Sequence, residues 1–471
     1  SHNINSGNVY AKNNVGGISS MLASMGTDFE GNINYGIVTY EKYSELTRGA
    51  VIAKNLNSKS TVKNNYYDSQ LGYYGGAATA IVKGINGVTT KELTSGKALE
   101  GLDSTAYDFE TGKYPVLKPF KDEAAAKANR SMVVTFADGN TADDVFAPAT
   151  LANGDKSLVW TLKQGSKFTV GDGTLSVNIG EGAASVRDTL VATVGGYSKV
   201  IGLRAMPNLF SGAGTAADPY QIKTVADMAK LADVTNNEHF AFSGRYFKVL
   251  NDIDFANVDY APVAVGANKF DADFDGGDNK FTNVKYSTDK TADTYIGLFG
   301  NVGQHGRLHD LTLASGSITA YSSSAGFAGR VFGQIENCVN NATISTYKNT
   351  AAAGIAVYLA YGGSIKNCQN HGHIASVSSG SVGIVYETET NTLVENCVNT
   401  ADIVVESKNT NAGIVGSNGG TIKDCVNKGK IGGSASLAGI AVHSVGGDSI
   451  INCVNEGDIT GTSGTMGGIV A

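Results

Sequence analysis

The sequence predicts an all-β chain in which segments of right-handed parallel β-helix flank a small antiparallel β-sandwich. Three observations carry that reading. Seven segments (FTNVKY, LHDLTL, IENCVN, IKNCQN, VENCVN, IKDCVN and INCVN) share one pattern, and they place Val284, Leu311, Cys338, Cys368, Cys397, Cys425 and Cys453 at spacings of 27, 27, 30, 29, 28 and 28. About halfway between these positions a second block recurs: GLFG at 297, GFAG at 326, GIAV at 354, GIVY at 383, GIVG at 413, GIAV at 439 and GIVA at 468. Residues 131–206 instead show short alternating runs parted by Gly-rich turns. A near-constant period of this length leaves room for about three short strands and three turns per unit, not for a strand and a long helix.

Within each unit an apolar residue stands three before the ladder position: Phe281, Leu308, Ile335, Ile365, Val394, Ile422 and Ile450. One before it is Asn or Asp: Asn283, Asp310, Asn337, Asn367, Asn396, Asp424 and Asn452. In the five Cys units, Asn stands two later and Ile six later. Strand neighbours point to opposite faces, so residues three apart both face inward only if the chain bends between them. The Asn or Asp is the corner, since these residues tolerate left-handed geometry and bond their own backbone. Like residues then stack about 4.8 Å apart on successive coils, and parallel crossovers are right-handed.

The remaining elements follow in order. Residues 1–120 read as the last coils and end cap of a first β-helix: Asn3–Val9 and Asn32–Val38 repeat the turn, with Phe29 and Val62 three before Asn32 and Asn65. Thr89 is a helix N-cap before Thr90–Leu93, and Lys113–Leu117 returns as a strand. Residues 121–130, rich in Ala and charge, are a helix-forming linker. Within 131–206, strands are expected at Ser131–Phe136, Ser157–Lys163, Phe168–Val170, Thr174–Ile179, Thr189–Val194 and Tyr197–Ala205, with Trp160, the single tryptophan, mid-strand. Residues 207–471 restart a β-helix. Asp218–Ile222 is a strand, and Thr224 and Asp227 open an amphipathic capping helix that buries Ala226, Met228, Ala229, Leu231 and Ala232.

Composition narrows the function. With 42% apolar and 17% charged residues the chain is not disordered. A net charge of −7 disfavours nucleic acid or an anionic membrane as partner. No run of 18 apolar residues is present, so no membrane insertion is expected of this segment. The chain starts and stops inside a coil, so it is expected to be either a piece of a longer protein or a fibre subunit stacking end to end.

The Gly-Leu-Phe-Gly block at 297–300 with the recurring Asn-Cys-x-Asn turns resembles the GLUG-type repeats of bacterial surface proteins. Residues 212–255 and 270–284 are similar to the entry into such repeats, and 64–72 and 87–117 to the exit. The stretches VWTLKQGSKFTVGDGTLSVN and DTLVATVGGYSKV are similar to bacterial immunoglobulin-like spacers. The resemblance implies a large exported protein, often an adhesin. Some relatives are N-terminal parts of immunoglobulin-cleaving metalloproteases, but the HExxH zinc motif is absent here, so no protease activity carries over.

Few residues point to chemistry. Asp271, Asp273, Asp275 and Asp278 are calcium candidates, since oxygen clusters bind that ion. Their spacing lacks the full calcium loop and its closing Glu, so a solvated turn is the reading kept. Asn251, Asp252 and Asp254 are read likewise. His371 and His373 share a strand face without a third zinc ligand. Cys338, Cys368, Cys397, Cys425 and Cys453 are read as free buried thiols of a structural ladder, an odd number in one slot that Val and Leu fill elsewhere. Exposed tyrosines among Tyr66, Tyr67, Tyr73, Tyr74, Tyr286, Tyr295, Tyr321, Tyr347, Tyr358, Tyr361 and Tyr386 would form a binding face. No acid–base cluster is legible across equivalent rungs. No catalytic residue, metal or cofactor is therefore expected. The expectation is a non-catalytic, secreted bacterial cell-surface segment, a rigid stalk or adhesin whose partner is a host surface protein or glycan. The alternatives are a carbohydrate-active β-helix lyase or hydrolase, or the stacking fibre subunit.

Overall fold

The computed structural model describes residues 1–471 apart from 12–14, 23–27, 41–47, 56–59, 72–81, 165–166, 180–184, 207–208, 257, 259, 290–293, 349, 361, 378, 406–409, 435 and 445–447. The chain forms two compact units, residues 1–209 and 210–471. It is all-β, a parallel β-solenoid with three short α-helices among the described residues.

In the first unit, strands of successive coils pair in parallel, with Ile4 beside Ile33, Ile33 beside Tyr66, and Phe29 beside Val62. Asn3 donates to Asn32 at 2.7 Å and Asn32 to Asn65 at 2.8 Å, an amide column where later coils carry thiols. Helix α1 (Thr90–Leu93) starts at Thr89 with a full capping box to Glu92. Helix α2 (Ala124–Ser131) packs tightly through Arg130, whose guanidinium is buried, pairs with Asp108 at 2.8 Å and donates to the Tyr114 carbonyl at 3.1 Å. Two antiparallel sheets follow. One joins Val134–Thr135, Ala149–Leu151, Thr174–Val177 and Phe168–Gly171; the other joins Val159–Leu162, Val186–Val194 and Tyr197–Ala205. The strand Ala149–Leu151 is not legible in the sequence, being three residues between polar turns. Trp160 is half-buried, and its indole donates to the Ala152 carbonyl at 2.9 Å. One apolar cluster runs from Ile33 and Tyr35 of the coils through Tyr114 to Val134, Leu190 and Ile201 of the sheets.

Lys199 is fully buried in that cluster. Its ammonium donates to the Tyr35 carbonyl at 2.9 Å and lies 4.6 Å from the Tyr114 ring centre, which stacks on Tyr35 at 4.3 Å. Burial pushes its pKa down to about 8, against the opposing pull of the Asp68 carboxylate.

In the second unit the aliphatic column is continuous: Leu308, Ile335, Ile365, Val394, Ile422 and Ile450 pair in register. The corners Asp310, Asn337, Asn367, Asn396, Asp424 and Asn452 all lie at φ between 51° and 54°, and this turn lets the residues three apart share the core. The lowest rung departs from the sequence reading. Phe274, not Phe281, lies beside Leu308, while Phe281 pairs with Leu313 and Val284 with Gly316. This coil advances by 34 residues at Asp275; Gly276, Gly277 and Asp278 bulge from the strand, with Gly277 and Asp278 at φ 61° and 59°, and past the bulge Asn279 pairs with Leu311, an offset of 32. Asn283, at φ 53°, is the coil's next corner, which mimics the first.

Helix α3 (Val225–Asn237) carries the Thr224–Asp227 capping box. It buries Met228, Leu231, Ala232, Val234 and Thr235; Ala226 and Ala229 are exposed. The helix is longer than its sequence signal, and its inner face follows i, i+3, i+4, i+7 from Met228.

The halfway glycines have a packing reason. A Cβ on Gly383 would lie 2.1 Å from the Gly413 carbonyl oxygen and 2.5 Å from Asn399 Cγ, so the block leaves room for the buried Asn side chain of the ladder position that follows it. Gly383→Ala is expected to destabilise the chain by roughly 1–3 kcal/mol in urea titration, whereas Gly202→Ala, with nothing within 4 Å of its Cβ, stays near neutral. Lys199 gives a pH signature. Its folded pKa is below the ordinary 10.5, so the unfolded chain holds the proton more tightly and stability rises with pH from about 8 to about 10.5. Urea midpoints of wild type and Lys199→Met should therefore converge or cross in favour of wild type over that window. A gap independent of pH would contradict the buried lysine.

Candidate functional site

Strand residues alternate in facing, so Leu308 points inward and His309 outward. The outward column, read across paired strands, is Lys248, Asp275, His309, Glu336, Lys366, Glu395 and Lys423. The next outward column carries Asp273 beside Arg307. At the third of these rungs the side chains converge on one imidazole. His309 Nε2 lies 2.9 Å from Asp273 Oδ1, and its Nδ1 lies 2.6 Å from Asp310 Oδ2 and 4.0 Å from Asp275 Oδ1. Lys248 pairs with Asp275 Oδ2 at 2.6 Å, and Arg307 pairs with Glu336 at 2.6 Å and reaches Asp273 at 3.5 Å. His309 is buried by this ring of charge.

Burial opposes the charged imidazolium, but the hydrogen bonds it donates to Asp273 and Asp310 outweigh it and raise the His309 pKa. Asp310 shows the converse: burial works against its charge, yet His309 and Asn337 hold its carboxyl below the usual range. Chemically the cluster favours a positive charge at this imidazole, as a proton or as a cation. Asp275, His309 and Asp310 present donor atoms all within 4.8 Å of one another, the one such His, Cys and carboxylate group among the described residues.

The sequence reading is that no acid–base cluster recurs across equivalent rungs; the structure adds a single, non-recurring cluster at this rung. The cluster was hidden by the 34-residue coil: read with Phe281 under Leu308, the sequence sets Asp275 one turn away from His309. Of the four calcium candidates, Asp273 and Asp275 meet here. Asp271 is buried apart, bonded to the His305 ring and backbone N–H at 2.9 and 2.8 Å and to Ser243 at 3.0 Å. Asp278 is exposed on its turn. Asp252 accepts from the Lys280 N–H of the next coil and Asp254 from the Ala256 N–H of its own turn, at 2.8 Å each. His371 and His373 are exposed; His371 bonds Thr400 and Gln369.

The five cysteines stack as one column of free thiols, joined by backbone bonds such as Val398 N–H to the Cys368 carbonyl and Val426 N–H to the Cys397 carbonyl, both 2.9 Å. Burial pushes the Cys368 and Cys397 thiols far up, which removes them as nucleophiles at neutral pH. Beside them Asn340, Asn370, Asn399, Asn427 and Asn455 bond amide to amide at 2.7 to 2.9 Å. Of the tyrosines considered for a binding face, Tyr66 and Tyr67 are buried. Tyr286, Tyr295, Tyr321, Tyr358 and Tyr386 are half-buried, and Tyr347 is 49% exposed. Tyr73, Tyr74 and Tyr361 lie outside the described residues. In the first unit an open groove of about 660 Å³ is lined by Asp108, Glu110, Lys113, Lys127 and Arg130.

No family model matches the chain. A protein of Evansella cellulosilytica, provisionally named a Gly-rich membrane protein, is 30% identical over 135 residues, covering 27% of this chain and 15% of its own. Halomucin of Haloquadratum walsbyi is 22% identical over 301 residues, covering 58% of this chain and 3% of its own. The chain therefore spans a small fraction of either relative. Among solved structures, a protein of Bacteroides ovatus provisionally described as an immunoglobulin A1 protease aligns with TM-score 0.43 and 20% identity, over 55% of this chain and 86% of that one. A second, titled IgA1 protease, aligns with TM-score 0.39 and 11% identity, over 66% and 27%. Likeness at that level does not bear on activity. Among the described residues no helix is long and apolar enough to cross a membrane.

The Asp271–His305 pair generates a pH prediction. The Asp271 carboxylate raises the His305 pKa above its ordinary 6.5, by charge and by hydrogen bond. Stability from this pair is therefore complete below pH 6.5 and lost as pH rises through the raised value. His305→Gln should cost stability at about pH 6 and progressively less toward about pH 9, read from thermal midpoints of both proteins across that range.

Proposed function

We propose that this chain is a non-catalytic segment of a secreted bacterial surface protein, a rigid stalk that adheres to a host protein or a glycan through its lateral faces. In this reading its coils are GLUG-type repeats of right-handed β-helix, and residues 131–206 are an immunoglobulin-like spacer. The observation that carries it is the amide spine from Asn340 to Asn455, fully buried from Asn340 through Asn427 and bonded rung to rung. Such a core commits most side chains to stiffness and leaves loops and outer columns free to vary. A relative named as a membrane protein supports a place at the cell envelope. A second reading, a carbohydrate-active enzyme, is favoured only by the carboxylates around His309, since glycan cleavage uses paired acids.

Binding arrays of glycans and host surface proteins, run beside a glycan depolymerisation screen, separate the two. The stalk reading expects retained ligand and no released product. Product release that disappears in Asp310→Asn would replace it with the enzymatic one.

A further inference from the structure

We infer that Asp275, His309 and Asp310 form a binding site for a divalent transition-metal ion of the zinc class, which joins two adjacent coils of the second unit. Three features of the geometry converge. First, the donor atoms come from both coils: Asp275 from the strand Asp273–Thr282 and His309 with Asp310 from Arg307–Leu313. An ion about 2.0–2.2 Å from each donor in a tetrahedral site asks for donors about 3.4 Å apart; Asp275 Oδ1 stands 4.0 Å and Asp310 Oδ2 2.6 Å from Nδ1, so metal binding draws the first in and moves the second out by less than an ångström each. Second, Asp273 Oδ1 accepts from the opposite ring nitrogen, Nε2, at 2.9 Å. That bond directs the Nδ1 lone pair toward the two carboxylates, as outer carboxylates do for ligating imidazoles. Third, the outward column sets His309 between Asp275 and Glu336, a slot that favours positive charge. Asp310 Oδ2 stands 2.6 Å from Nδ1, so the ion would sit where this contact now closes.

The donor set selects the ion. One imidazole and two carboxylate oxygens suit zinc, cobalt or nickel, whereas calcium takes six to eight oxygens. Three protein ligands leave one tetrahedral position for water or for a donor atom of a bound partner. Asp271 and Asp278 take no part, and Lys248 and Arg307 offset the extra carboxylate charge of Asp275, Asp273 and Glu336.

Isothermal titration of the full chain, stripped with EDTA, with Zn²⁺ alone tests this. One tight equivalent is expected, with Co²⁺ giving the intense visible bands of a four-coordinate ion and Ca²⁺ giving no heat. His309→Gln should abolish that equivalent. Asp273→Asn, which meets the imidazole only at its far nitrogen, should weaken it roughly 10–100-fold. The double variant His371→Gln/His373→Gln should leave it unchanged. Far-UV circular dichroism in EDTA checks that each variant is folded, and the wild-type titration stands if His309→Gln is not. Absence of binding in wild type, undiminished binding in Asp273→Asn, or loss in the His371/His373 variant would each overturn the assignment.

Discussion

The constraint on which this molecule depends is the axial hydrogen bond between windings. Parallel pairing fixes the rise at about 4.8 Å, so whatever stands at one position of a coil meets its counterpart in the next. An isolated amide in an apolar core costs about 1–3 kcal/mol when left without a partner. Here each Asn meets the Asn above it. Asn370 accepts from Asn340 at 2.8 Å, donates to Asn399 at 2.9 Å and also bonds the Gly372 carbonyl at 3.2 Å. The buried polar column is therefore satisfied by repetition itself, and the glycines of the halfway block make space for it.

Repetition that stabilises amides and aliphatics would be destructive for charge. Two like charges stacked at this rise repel by about 3 kcal/mol at an effective dielectric near 20. The outward column avoids this by alternation: Lys248, Asp275, His309, Glu336, Lys366, Glu395, Lys423. Lys423 closes on Glu395 at 2.7 Å. His309 is the member whose charge depends on its surroundings, and it is the one the neighbouring carboxylates enclose. Electrostatic alternation and the polar cluster are thus one arrangement.

The fold was legible wherever period and chemistry agreed. Ile335, Asn337, Cys338 and Asn340 each announce a distinct place in the coil, and the same four types return at 365–370, 394–399 and 422–427 with conservative exchanges. The end cap at Thr89 and the capping box at Thr224 were legible for a local reason: their side chains bond backbone within three residues. The first rung was not, because Phe281-Thr-Asn283-Val284 satisfies the pattern by coincidence at a different corner. Sequence spacing cannot register a bulge. Gly276-Gly277-Asp278 looks like a turn, and only the pairing of Phe274 with Leu308 reveals that the strand continues beyond it. The candidate site was lost with that register, since Asp273 and Asp275 lie one winding away from His309 and Asp310.

A solenoid whose every coil repeats the last would present the same residues to solvent all along its length, and a non-repeating site needs a break in the rule. The bulge supplies one. It lengthens a single coil without disturbing the aliphatic column, because Phe274 still stacks between Phe247 and Leu308. On the outer face, meanwhile, it leaves Asp273 and Asp275 beside Arg307 and His309 and carries Asp278 out to solvent. Of the described rungs, this is where four carboxylates, two permanent cations and an imidazole meet. The uniform rungs above it, with Glu395 and Lys423 in simple pairs, show what the same face does when no residue is inserted.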